Sequence, residues 1–269
     1  MHPEAHAPHA THRLGRVAFY GALLAITLLP PWASRGYAPQ RTGDVIRAVL
    51  TTSLRPYEWL APVFHVATLL LVVLVAAVGV RASRAVEAYI GLNYLVIAAL
   101  QSFAQTPQHG TVIHTGALAG ELLLAVLWLS DAHAPRLRTA PAEIRLRRLW
   151  PLPLAMLAFW APMNSAGLPD FRPVMLLVSP AYGLSFCLTT PVVIFVTTLF
   201  YPAVPPAASR ATAFLGLLYG LLNLQWFASR ETAWVGVLHV PLLVLSIYAL
   251  ALMRRTHEPA AAIKVVVRK

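Results

Sequence analysis

The sequence predicts an all-α integral membrane protein, a polytopic bundle of about eight transmembrane helices. Three observations carry that reading. Hydrophobic residues fill 58% of the 269 positions and charged residues 12%, and mean hydropathy is +0.65, far from soluble globular domains. The apolar residues fall into runs of about 20, the length a helix needs to cross a bilayer. The basic residues sit between those runs, and they alternate in number: 15 Lys and Arg fall on the side of the two tails and 6 on the opposite side. The positive-inside rule then places both termini in the cytoplasm of a multi-pass plasma-membrane protein.

Residues 1–13, with His2, His6, His9 and His12 among Ala and Pro, read as a disordered His-rich tail. Span 1 runs from Leu14 to Leu29 and ends at Pro30-Pro31, because proline stops a helix. Thr42 to Leu54 reads as an interfacial helix with Asp44 at its start. Span 2 is Tyr57 to Val80, with His65 inside it. Span 3 is Val86 to Gln105, with Glu87, Tyr94 and Gln101 spaced i, i+7, i+14 as a polar stripe that lipid cannot satisfy.

Span 4, Thr111 to Ser130, holds His114 and Glu121 two helical turns apart, which would put both on one side. Gly116 and Gly120 form a small-xxx-small pair on the opposite side, suited to a close helix neighbour. The basic loop that follows contains AEIRLRRLW, which reads as an amphipathic surface helix able to meet anionic lipid. Span 5, Trp150 to Gly167, is interrupted by Pro151, Pro153 and Pro162. Val174 to Ser179 reads as a loop or partial re-entry, followed by a kinked span 6 from Ala181 to Tyr201. Span 7 is Ala211 to Ser229 with Asn223 and Gln225, and span 8 is Thr232 to Met253 with His239. Residues 254–269 form a basic tail.

The pair Leu100-Gln101-Ser102-Phe103-Ala104 and Leu224-Gln225-Trp226-Phe227-Ala228, each followed 13 or 14 residues after its Gln by a histidine, carries a repeat signal. It would divide the transmembrane domain 14–253 into tandem four-helix halves, 14–130 and 149–253, joined by the basic loop.

At about 1.5 Å per residue, His65 lies about 12 Å and His239 about 10 Å in from the outer ends of their spans. His114 lies near 5 Å, and Glu121 near the midplane at about 15 Å. Gln101, Asn223 and Gln225 also fall in the outer half, so an outward-opening polar pocket follows. A midplane carboxylate beneath histidines, in a chain with proline-broken helices, favours a transporter or permease-like protein for a small solute coupled to a proton or cation. Its pathway residues would be Glu121, His114, His65, His239, Gln101, Tyr94, Asn223 and Gln225.

The runner-up is a membrane redox protein, with His65 and His239 as axial ligands of a b-type haem or as metal ligands. No cofactor is required by the sequence. An intramembrane enzyme has less behind it, because HExxH and GxSxG are both absent. A subunit of a membrane complex or a homo-oligomer remains open. Cys187 is the single cysteine, which excludes an internal disulfide and a Cys-based metal cluster. The placement of charge at span ends argues against nucleic acid and for the bilayer as partner.

Overall fold

The computed structural model describes residues 8–141 and 144–255. Ten α-helices lie in that part: α1 (Pro8–Thr27), α2 (Thr42–Thr52), α3 (Ala61–Val78), α4 (Ser83–Gln101), α5 (Thr115–His133), α6 (Leu152–Trp160), α7 (Met175–Val178), α8 (Phe186–Phe200), α9 (Pro206–Leu222) and α10 (Ala233–Arg255). The fold is helical, as expected. Four helical segments are long and apolar enough to cross a membrane, where the sequence suggested eight: the run Pro39–Gln101, Thr115–His133, Pro206–Ala228 and Ala233–Arg254. Val17–Thr27 and Phe186–Phe200 are apolar but shorter. Span 5 contracts to the nine residues of α6, because Pro151 and Pro153 confine the helix start and Pro162 forbids its continuation.

Helix α8 is the axis of the bundle. Twelve of its fifteen residues are buried, which is the pattern of a helix apolar all round. It packs against α4, α6, α9 and α10, while α4 with α5 and α9 with α10 form the two most extensive antiparallel pairs. Trp128 Nε1 donates to Thr212 Oγ1 at 3.0 Å and fixes α5 on α9 inside the core. The Gly116/Gly120 pair does admit close neighbours. A Cβ on Gly116 would lie 2.8 Å from the Thr27 carbonyl at the end of α1, and one on Gly120 would lie 3.4 Å from Leu215 of α9. A second small-xxx-small pair, Gly216 and Gly220 on α9, faces α10.

Helix α3 stands at the rim, with only Ala61 and His65 buried among its eighteen residues. Val63, Val66, Leu70, Val72 and Val73 all point outward, a surface suited to lipid. In the expected tandem halves α3 and α8 would correspond; α3 is mostly exposed and α8 mostly buried.

The two ends of the bundle differ. At the basic end, Glu87 Oε1 accepts the Arg136 and Leu137 N–H groups at 3.1 and 2.8 Å. Thr139 Oγ1 donates to the Gly79 carbonyl at 2.7 Å, and Arg138 N–H to the Ala203 carbonyl at 2.9 Å. The surface helix expected over 142–150 is absent among the described residues. Only a 3-10 turn, Leu146–Arg148, forms there, because Arg148 turns inward to the Tyr201 carbonyl; residues 142–143 lie outside the described part.

The opposite end carries a small antiparallel sheet in the order β1-β3-β2, made of β1 (Trp32–Ala33), β2 (Phe103–Thr106) and β3 (Gly110–Ile113). Val45 and Val49 of α2 pack on Ala104 and Val112 of the sheet. Asp44 lies in the first turn of α2 paired with Arg41 at 3.2 Å and is not the cap itself. The sheet corrects span 4, since Thr111 to Ile113 are extended and the helix begins at Thr115. His114 is therefore the residue before α5, with φ −78° and ψ 78°, and shares no helical face with Glu121.

Candidate functional site

At the sheet-bearing end, the chain between α7 and α8 abandons helical geometry over residues 179–185 while remaining largely buried. Pro180 forbids continuation from α7, and Gly183 adopts φ +78°, a conformation that favours glycine. Buried irregular backbone must find partners for its N–H and C=O groups. Here side chains supply them. The Gly183 N–H donates to Thr189 Oγ1 at 3.0 Å, and its carbonyl accepts from Asn93 Nδ2 at 2.6 Å. Gln101 Oε1 accepts the Phe186 N–H at 2.8 Å, and Ser179 Oγ donates to the Ala161 carbonyl at 2.6 Å.

A cavity of about 280 Å³ lies against this break. Gln101, Ser185, Cys187 and Leu188 line it from the α4 and α8 side, and Asn223 and His239 from the α9 and α10 side. Arg55, Glu58 and Glu231 contribute the charged part of its lining. The side chain of Ser165, on the loop following α6, donates to the Glu58 carboxylate and ties that loop to the 3-10 segment Arg55–Leu60. Trp226, also on the wall, holds α2 through Arg47, whose guanidinium carbon sits 5.3 Å from the ring centroid.

The wall is chemically specific. Asn223 Nδ2 donates to Cys187 Sγ at 3.1 Å and its Oδ1 accepts from Trp226 Nε1 at 3.0 Å. His239 Nδ1 donates to the Val235 carbonyl at 2.6 Å, so Nε2 is the ring nitrogen left for a ligand. Glu121 stands one layer behind. It is buried, accepts from Ser102 Oγ at 3.1 Å, and lies within electrostatic reach of Cys187, Tyr94 and Tyr219.

Of the eight residues read from sequence as a pathway, the cavity gathers Gln101, Asn223 and His239. Tyr94 is deeper and bonds Thr190 Oγ1 at 3.1 Å. His114 is buried beside the sheet with Nδ1 unbonded, away from the cavity lining. Gln225 is exposed. His65 is enclosed between Phe159 and Tyr182, its Nδ1 2.9 Å from the Ala61 carbonyl and its Nε2 3.0 Å from the Phe159 carbonyl. With a carbonyl against each nitrogen, His65 presents no lone pair to an iron, and it does not share the cavity with His239. Among the described residues no group of three or more His, Cys, Asp or Glu is placed to hold a metal ion.

Sequence reasoning missed Asn93, which clips the break, and Ser185 and Leu188 on its floor. Pro180 followed by Gly183 inside an apolar run was the available signal. No family model, curated protein or solved structure matches this chain.

Proposed function

We propose that the chain is an integral membrane protein that binds a small polar solute in the cavity beside the α7–α8 break and carries it across the bilayer, a permease-like role. One observation carries the reading: a cavity that sets polar and charged side chains in a mainly apolar surface enters the bundle where the chain ahead of the buried α8 leaves helical geometry, with freed backbone groups held by side chains of α4. Helix breaks at membrane depth are tolerated where they are buried in protein or line a cavity, and that is where transporters place substrate. The basic loops lie at the other end, so the positive-inside rule directs the cavity outward and both termini to the cytoplasm. Exposed Arg145 and Arg147 then face anionic headgroups.

In this reading Gln101, Asn223 and His239 position the solute by hydrogen bonds, and Glu121 behind Cys187 supplies the proton site that couples transport. The loop tied to Glu58 through Ser165 covers part of the entrance. The test is uptake into proteoliposomes of the full chain, with a panel of radiolabelled amino acids, carboxylates and sugars and an imposed pH gradient. Saturable, gradient-driven uptake of one class is expected, and Glu121→Gln removes the gradient dependence while the protein still folds. Uptake no greater than in empty liposomes across the panel, or full coupling in Glu121→Gln, refutes it.

A further inference from the structure

We infer that the cavity recognises its solute through a carboxylate group seated on the N-terminus of α8. This rests on the solute-site reading above and names the chemistry of that site.

The first four N–H groups of a helix have no partner within it. At α8 two of them are accounted for: the Ser185 N–H donates to the Ala181 carbonyl, and the Phe186 N–H to Gln101 Oε1. The first bond inside the helix is Thr189 N–H to the Ser185 carbonyl at 3.1 Å. Between them, the N–H groups of Cys187 and Leu188 have no acceptor among the described residues, and Ser185 at the cap position makes no side-chain bond to them. Both residues line the cavity. Buried N–H groups are rarely left without an acceptor, so a pair at a cavity wall marks where an acceptor belongs.

A second observation converges on the same place. Gln101 is 6% exposed and lines the cavity, yet only its oxygen is engaged; its amide NH2 donates to no described residue. Three sets of donors, the Cys187 N–H, the Leu188 N–H and the Gln101 NH2, thus border one space with the positive end of a fifteen-residue helix dipole beneath it. No carboxylate lines the floor, and Asn223 and His239 add polar edges. Acceptor-only chemistry with negative charge fits these donors; a carboxylate supplies two oxygens for them.

Size and charge narrow the class further. A cavity of about 280 Å³ lies at the small end of ligand sites, which run from about 300 to 1,000 Å³. That suits a solute of amino-acid size. Elsewhere on the lining stand Glu58 and Glu231, which would meet an ammonium group, and Arg55, which carries the opposite charge; an α-amino acid uses both parts of the wall, and a plain short carboxylate uses the floor.

The single cysteine makes the test direct. Purified full-length protein in detergent is treated with N-ethylmaleimide, and the rate of Cys187 alkylation is followed by intact mass. Glycine, alanine, leucine, lactate and acetate are added separately, each beside its primary amide. The expected result is slower alkylation with the carboxylates, about tenfold slower at ten times Kd, and no protection from the amides. Protection by the amino acids alone assigns a zwitterionic solute, and protection by lactate and acetate as well assigns the carboxylate alone; either supports the inference. Gln101→Leu should abolish protection. Gln101→Glu, which keeps an acceptor for the Phe186 N–H but turns a negative charge to the floor, should do the same with a smaller effect on folding. If Cys187 alkylates at one rate whatever is added, or amides protect as well as acids, the inference fails while the accessible cavity stands. Because Cys187 is buried, a folded protein in which it does not react is read instead by thermal melting with the same additives. A rise in Tm with the carboxylates and not with their amides supports the inference, an equal rise with both overturns it while the cavity stands, and no rise with any overturns both.

Discussion

Two glycine-to-alanine changes test how tightly the bundle is packed around the site. A Cβ added at Gly220 would lie 2.9 Å from the Leu243 Cα and 3.1 Å from its nitrogen, backbone atoms of α10 that cannot rotate away. At Gly120 the nearest atoms are Leu215 Cδ1 at 3.4 Å and the Tyr219 hydroxyl at 3.6 Å, ordinary contact distances. Alanine raises helix propensity at both positions by about 0.8–1 kcal/mol. At Gly220 the crowding works against it, with an overpacking cost of about 1–3 kcal/mol. Gly120→Ala should therefore hold or raise stability, while Gly220→Ala should be neutral to about 2 kcal/mol worse. The separation of about 1–3 kcal/mol corresponds to about 2–12 °C in Tm for a chain of this size. Differential scanning fluorimetry of both variants in one detergent, read from native tryptophans, measures it. A Gly220→Ala variant that melts at or above Gly120→Ala would refute the α9–α10 packing and the cavity wall built on it.

Three more outcomes follow from the geometry. Glu87→Leu leaves the buried Leu137 N–H and the part-buried Arg136 N–H without their acceptor, at about 1–3 kcal/mol for the buried group and less for the other, whereas Glu87→Gln keeps an acceptor oxygen. Thermal melts should place the Leu variant clearly below the Gln variant, and coincident melts would remove Glu87 as the clip of the basic end. Asn93→Ala frees the Gly183 carbonyl, so the break should loosen and Cys187 alkylation should accelerate; an unchanged rate would count against side-chain control of the break. In the loop after α6, the Arg172 side chain donates to both oxygens of Asp170, at 2.9 Å to Oδ1 and 2.6 Å to Oδ2, and holds its carboxyl below the usual range. A folded pKa lowered in this way contributes stability that is present above the unfolded value of about 4 and is lost as pH falls through the folded one. The difference in Tm between wild type and Asp170→Asn should accordingly shrink as pH drops from 7 to 3, and a difference that is flat with pH would refute the pairing.

The helical fold and three cavity residues were legible because polar side chains stand out in apolar runs and depth can be counted along a helix. Gln101, Asn223 and His239 came through that count. Gln225 did not, because residues 223–228 tighten into a 3-10 turn with three residues per turn, which turns Asn223 and Trp226 inward and Gln225 out. His114 was misplaced for a related reason. Thr-Val-Ile is apolar and β-branched, and reads equally as a helix start or a strand until the pairing with β1 and β2 decides it. Pro180 and Gly183 mark the break ahead of α8 in the sequence, but the side chains that clip it were not readable, since Asn93 and Gln101 lie 90 and 85 residues from their partners.

The clipped break also bears on how the chain enters a bilayer. Fifteen helical residues span about 22 Å, short of the roughly 30 Å of hydrocarbon, and the segment before them is not helical. Such a segment cannot be a stable inserted unit by itself, because lipid offers no partner for the Gly183 carbonyl or the Phe186 N–H. Helix α4, which holds both groups, precedes α8 in the chain and is synthesised first. Assembly is thereby ordered by the chain's own direction: the early helix is the template, and α8 completes itself only by docking to it.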